Sequence, residues 1–272
     1  MLKCNKKTSQ LTKLIFVPLV NLWEKRSLIF YFSVLNIKMR YKGTYLGLLW
    51  SVLEPLFIFL ILYVVFTSIK DVSKQDDFAI YLIFGVFLYH LFIRGSMNGL
   101  VSLKVNSNIL TFMNIQKEFF PVVNTGSVLL LMFVQLTVFF ILVPIFNFSL
   151  SWTIVFLPFL MALFLTLVLG ISYILSITYV FFKDIHPIWG VLTYSLIFIS
   201  PVFWYIQDAN GILLEIHKIN PLGQLIELGH KIIFGIVPTF EEWIYTTSIV
   251  FGILFLGYTI FQKYENKVSE KL

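Results

Sequence analysis

Six long apolar runs, separated by short polar connections, constrain this chain more than any other feature. A helix needs about 20 consecutive apolar residues to cross the hydrocarbon core of a bilayer. The runs lie at about Gly47 to Ile69, Phe78 to Leu100, Pro121 to Phe146, Trp152 to Val180, Ile185 to Tyr205 and Trp243 to Phe261. Of the 272 residues, 58% are hydrophobic and only 12% are charged, about half the charged share of a soluble domain. A water-soluble fold of this length cannot hide that much apolar surface. The expected fold class is an all-α integral membrane protein with six transmembrane helices. One domain then accounts for 1–272, with no room for a large soluble module.

Two segments fit no span. Residues 23 to 42 hold ten or so apolar positions, most of them in the run Leu28 to Leu35, between Lys25-Arg26 and the cluster Lys38, Arg40 and Lys42. That is too short to cross, and it reads as an amphipathic helix lying in the interface. Residues 206 to 240 carry Asp208, Glu215, Lys218, Glu227 and Lys231, with Leu222, Leu225, Ile226, Gly229, Ile232, Ile233 and Ile236 at helical spacing. They read as short external re-entrant or interfacial helices between spans five and six. The domain divides into a tail plus interfacial helix (1–43), six spans (44–261) and a second tail (262–272).

Charge sets the expected orientation. Six spans put both ends on one side. The two tails and the loops after spans two and four hold fifteen Lys and Arg, nine of them before residue 43. The opposite loops hold Lys70, Lys74, Lys218 and Lys231. An excess of this kind marks the cytoplasmic side, so both termini are expected in the cytoplasm. Basic residues beside apolar spans also attract anionic lipid. The same footprint argues against nucleic acid as a partner. Cys4 is alone, which excludes an internal disulfide and a Cys-based metal cluster. The apolar stretch Leu14 to Val20 is short, contains Pro18 and precedes no small-residue cleavage site, so the first span is expected to be an uncleaved anchor.

No catalytic constellation survives inspection, and no cofactor or metal site is expected. There is no HExxH motif, and no paired acids lie within a span. Gly223 to Lys231 reads GQLIELGHK. A phosphate loop needs four residues between its glycines, followed by Lys and Ser or Thr, and this segment has five, then His-Lys-Ile. Any ATP must be bound by another subunit. Asp76-Asp77, beside Lys70 and Lys74, reads as a solvated charge run. His90, His186, His217 and His230 are scattered and read as satisfied polar residues. Glu54 and Arg94 stand out, because ionisable groups within a span are costly and usually paired. Counting about 1.5 Å per residue puts both about 10 Å deep from the same side, so they are expected to face each other. The competing reading for Arg94 is snorkelling to the headgroups.

The string Arg40 to Pro55, RYKGTYLGLLWSVLEP, resembles the membrane subunit of bacterial ATP-binding-cassette exporters of polysaccharide, of the O-antigen, capsule or teichoic acid type. Asn108-Ile109-Leu110 followed by Lys117-Glu118-Phe119-Phe120-Pro121 resembles that family's first cytoplasmic loop, with Phe112-Met113-Asn114 intervening where the family is more compact. Lys183-Asp184-Ile185, Ser200-Pro201-Val202 and Asn220-Pro221-Leu222 fall where the family has its next turn, the close of span five and the opening of its external segment. The resemblance covers nearly the whole chain. It implies a permease subunit without its own nucleotide site. It also implies a homodimer with two copies of a separate ATPase, exporting a lipid-linked glycan. Lys38, Arg40, Lys42, Asn108, Lys117 and Glu118 are the expected coupling residues toward the ATPase.

Aromatic faces pack against pyranose C–H faces, so aromatic spans suit a sliding glycan. Trp50, Glu54, Phe57 and Ile61 share one helical face, and Tyr194, Phe198, Pro201 and Tyr205 share another. Trp50, Phe57, Tyr194, Phe198 and Tyr205 are the expected path residues. The competing reading for such aromatics is an interfacial belt or a lipid-facing surface. Competing functions are export of drugs or other lipids by the same superfamily, an enzyme acting on polyprenyl-linked sugar, and a passive channel.

Overall fold

A computed structural model describes residues 24–69, 77–112, 116–268 and 271. Cys4 and the N-terminal tail, Lys70, Asp71, Lys74 and Asp76, and Met113-Asn114 lie outside the described residues. The elements are α1 (Arg26–Arg40), α2 (Trp50–Ile69), α3 (Phe78–Val105), α4 (Ser107–Phe112), α5 (Phe119–Ile145), α6 (Leu157–Phe181), α7 (Ile185–Ile199), α8 (Ile212–Ile219), α9 (Pro221–Ile233) and α10 (Phe240–Val268). Single 3-10 turns at Gly47–Leu49 and Trp152–Phe156 lead into α2 and α6. Among the described residues there is no strand.

Five helices are long and apolar enough to cross a membrane: α2, α3, α5, α6 and α10. The fifth apolar run gives a shorter helix than its length suggests. α7 ends at Ile199 after 15 residues, about 22 Å of helix at about 1.5 Å per residue, against about 30 Å of hydrocarbon. Pro201 is the cause. It lacks an N–H and drives its predecessor out of the helical region, and Ser200 is extended with ψ 148°. The chain nevertheless continues beside α3. Trp189 Nε1 donates to Ser96 Oγ at 3.0 Å, and Tyr89 donates to the Thr193 carbonyl at 2.9 Å. The Tyr81 hydroxyl lies 3.1 Å from the Pro201 carbonyl and 2.7 Å from that of Trp204. Segment 185–204 thus runs antiparallel to α3 along most of its length.

α3 is the central column. It packs against α2, α5, α6, α7 and α9, and 89% of its most apolar window is buried. Between helices in lipid, small residues rather than hydrophobicity set the close contacts. A Cβ on Gly99 would lie 2.6 Å from Ser172 Cβ of α6, and one on Gly257 of α10 would run into the Gly170 carbonyl oxygen of α6. α1 lies against the start of α5. Ser33 Oγ is 3.0 Å from the Val123 carbonyl, Ser127 Oγ donates to the Ser33 carbonyl at 3.2 Å, and Phe32 meets Phe119 edge-on. The end of the bundle that carries α1 and α4 is termed the near end, and the end that carries α8 and α9 the far end.

Candidate functional site

A polar cluster joins α2, α3 and α5 inside the apolar body. It starts from Pro55. Lacking an N–H, Pro55 leaves the Ser51 carbonyl four residues earlier without its helical donor. Gln135 of α5 donates to that carbonyl at 3.0 Å. The same Gln135 nitrogen is 3.2 Å from His90 Nδ1. His90 Nε2 is 3.2 Å from Arg94 Nε and 3.5 Å from Glu54 Oε1. Arg94 Nη2 forms an ion pair with Glu54 Oε2. A neutral imidazole has one acceptor nitrogen, so His90 serves either Gln135 or Arg94 at a given moment. Glu54 and Arg94 are therefore together, as their matched depth suggests. His90 and Gln135 join them, although neither stands out as a site residue in the sequence. Two signals point to them all the same: His90 is four residues before Arg94, on the same helical face, and Gln135 is a lone amide in an apolar span.

The expected coupling residues divide into two sets at the near end. Lys38, Lys42 and Asn108 are exposed. Arg40, Lys117 and Glu118 turn inward. Lys117 Nζ donates to the Glu265 carbonyl of α10, and Glu118 Oε1 accepts from Gln262 of α10 at 2.8 Å. Glu118 Oε2 is buried and has no partner among the described residues. Burial, and next the charge of Glu265, push the Glu118 carboxyl up to about 7. Lys117 and Glu118 thus tie the loop before α5 to the end of α10.

At the far end the two proline motifs touch. Asn220 caps α9 by accepting from the Leu222 N–H at 3.1 Å, and its Nδ2 donates to Ser200 Oγ at 2.9 Å. Pro221 takes the first helical turn, where a missing N–H does no harm. Glu227 is 2.7 Å from His217 Nε2 and 2.9 Å from Lys231 Nζ, and Lys231 is 2.5 Å from Glu242. Burial opposes ionisation of Glu227, but the bonds from His217 and Lys231 prevail and its pKa falls. His230 stacks on Tyr81 with ring centroids 3.6 Å apart. Burial holds the His230 imidazole down to about 3, and because a carbonyl oxygen only accepts, the Nε2 that lies 2.9 Å from the Tyr81 carbonyl is the nitrogen that carries the proton.

The aromatic residues expected along a path divide too. Trp50 and Phe57 on α2 and Tyr194 and Phe198 on α7 are exposed, Tyr194 at 72% and Phe198 at 67%. Tyr205 does not continue the face of Tyr194 and Phe198. The helix ends before it, and its ring packs 4.4 Å from that of Tyr81. Among the described residues, no group of three or more His, Cys, Asp or Glu gathers as metal ligands would. The phosphate-loop-like stretch is helix α9, its glycines packed against neighbours rather than forming a loop.

The family model described as ABC-2 type transporter matches residues 28–234. This chain belongs to the ABC-2 type transporter family. The match runs from α1 to the end of α9, so it includes the near-end loop, the polar cluster and the capped helix of the far end. Among its relatives is the O-antigen export system permease protein RfbA of Klebsiella pneumoniae, 26% identical over 246 residues, which are 87% of this chain and 92% of that protein. The protein of the same name from Myxococcus xanthus is 23% identical over 255 residues, 92% of this chain and 97% of that one. In this ABC-2 type transporter the polar residues are used for helix-to-helix ties, and exposed aromatics are left on α2 and α7.

Proposed function

We propose that this chain is the permease subunit of an ATP-driven exporter that moves a lipid-linked polysaccharide out across the bacterial inner membrane. The similarity of nearly the whole chain to O-antigen export permeases carries this reading. The helical bundle of an ABC-2 type transporter supports it. Two copies of this subunit work with two copies of a separate ATPase. Residues 1–272 form one transmembrane domain with six crossings, residues 185–205 being the fifth despite the short helix. Its course beside α3 supports that count. The near end faces the cytoplasm, in line with the Lys and Arg excess there, and α8 and α9 dip in from the outside. Lys38, Lys42 and Asn108 contact the ATPase directly, while Arg40, Lys117 and Glu118 pass movement from that contact to α3, α5 and α10. Glu54 and Arg94 hold α2 to α3 during the cycle. Trp50, Phe57, Tyr194 and Phe198 face the glycan between two protomers, and Tyr205 borders the exit. Disrupting the gene tests the reading: the glycan should accumulate on its lipid carrier inside the cell and vanish from the outer face. An unchanged distribution of glycan contradicts it. The purified subunit alone should hydrolyse no ATP, and hydrolysis by this chain by itself would also contradict it.

A further inference from the structure

Between α1, α3 and α5, at the near end, lies a cavity of about 360 Å³. Arg40, Arg94, Asn36, Asn98, Asn106 and Ser127 are among the residues that line it. Among the described residues, no carboxylate lines it. Arg94 is balanced by Glu54 behind it. Among the described residues no carboxylate pairs with Arg40, and its buried Nη1 has no hydrogen-bond partner. A buried donor without a partner is costly, and more so when it is charged. Burial, and next the charge of Arg94, pull the Arg40 guanidinium below its ordinary value. Two guanidiniums on one cavity, one with an idle donor, and amides beside them are the surroundings that a phosphate fills. Charge-assisted bonds from a guanidinium to phosphate oxygens are among the strong ones. The place agrees, because α1 carries exposed Leu28, Phe30, Tyr31 and Met39, as a helix lying at headgroup level does.

The geometry points to a lipid phosphate site: this cavity binds the phosphate ester of a membrane-embedded lipid, with Arg40 as its chief cationic contact. Two lipids supply that chemistry, a resident anionic phospholipid or the polyprenyl carrier of the exported glycan. Binding needs no partner ATPase and no transport, so its failure is distinguishable from failure of the export reading. The experiment uses the full chain in phosphatidylcholine nanodiscs, with phosphatidylglycerol or polyprenyl phosphate added in turn and bound lipid counted by native mass spectrometry. Wild type should retain at least one of them over phosphatidylcholine. Arg40→Gln should weaken that retention by about tenfold or more, and Arg40→Lys by less. Asn98→Asp, on a different helix, places a negative charge on the cavity wall and should expel the same lipid even where the Arg40 variants fold poorly. Preference for phosphatidylglycerol identifies a resident lipid, and preference for polyprenyl phosphate identifies the carrier. Either supports the site. Failure of wild type to select either lipid, or retention unchanged in both Arg40→Gln and Asn98→Asp, overturns it.

Discussion

α2 and α3 are neighbouring spans with opposite fates. Of the most apolar window in each, 89% is buried in α3 and 22% in α2. Yet α3 is the less apolar of the two. In water the ranking would be reversed. In lipid, apolar surface needs no cover, and polar groups are the ones that must go inside. α3 carries His90, Arg94, Ser96 and Ser102, and buries most of them against other helices. α2 carries one charge, Glu54, turned to α3, and leaves Phe57, Leu60, Ile61 and Val64 uncovered. Burial in this protein therefore follows polarity and small residues rather than hydrophobicity. The uncovered face of α2 is free for lipid, for a second copy or for cargo.

The comparison can be broken most forcefully at the Glu54–Arg94 pair. Arg94→Ala leaves Glu54 unpaired within the membrane, at a cost of about 2–3 kcal/mol. Glu54→Gln in the same chain should restore most of that stability. Unfolding in mixed micelles measures both, and additive losses would mean that the two side chains do not support each other. Next comes the α3 column itself. Gly99→Val forces carbon onto Ser172, whose Cα would be 3.1 Å from the new Cβ, and overpacking of this kind costs about 1–3 kcal/mol. A methyl on Gly252 of α10 would meet nothing within 4 Å, so Gly252→Ala should leave the melting temperature unchanged or raise it.

A smaller effect is expected from pH at the near end. Glu118 is held up to about 7 by burial and by Glu265, above its value in the unfolded chain. Its contribution is then complete below the unfolded value and lost as pH rises through about 7. Wild type should therefore lose stability relative to Glu118→Gln between pH 5 and pH 8, with the two curves meeting at the acid end. Thermal unfolding across that range checks the sign. The smallest effect on stability belongs to α2 and α7. Phe57→Ala and Tyr194→Ala remove exposed rings and should change unfolding by less than about 0.5 kcal/mol, while lowering export of the glycan. Large destabilisation by either would mean that this face is part of the fold.

Much of this architecture is legible from residue order. The starts of α2, α3 and α7, the N-terminal helix α1 and the short helices α8 and α9 follow from apolar runs, charge clusters and prolines. The end of α7 is not, because the apolar run continues through Val202 and Phe203. Hydropathy does not register the backbone break at Pro201, and helical counting across that break carries Tyr205 onto the wrong face. The Glu54–Arg94 contact is legible from depth alone, because two charges in a thin slab have few places to go. Gln135 goes unmarked and His90 reads only as a satisfied polar residue, because each looks isolated on its own helix. Only the orphaned Ser51 carbonyl, four residues before Pro55, explains why Gln135 is there. The cavity beside Arg40 is hidden for a different reason: it depends on how α1 lies across α3 and α5, which no periodicity encodes.

In the proposed function the uncovered face of α2 and α7 meets the exported glycan while α3 stays sealed. Photo-cross-linking in cells that make the polymer tests it most directly, with a benzophenone amino acid at Phe57, Tyr194 or the fully buried Phe84. The account predicts glycan adducts from positions 57 and 194 and none from 84. Adducts to phospholipid alone at 57 and 194, in cells actively exporting the glycan, would contradict it.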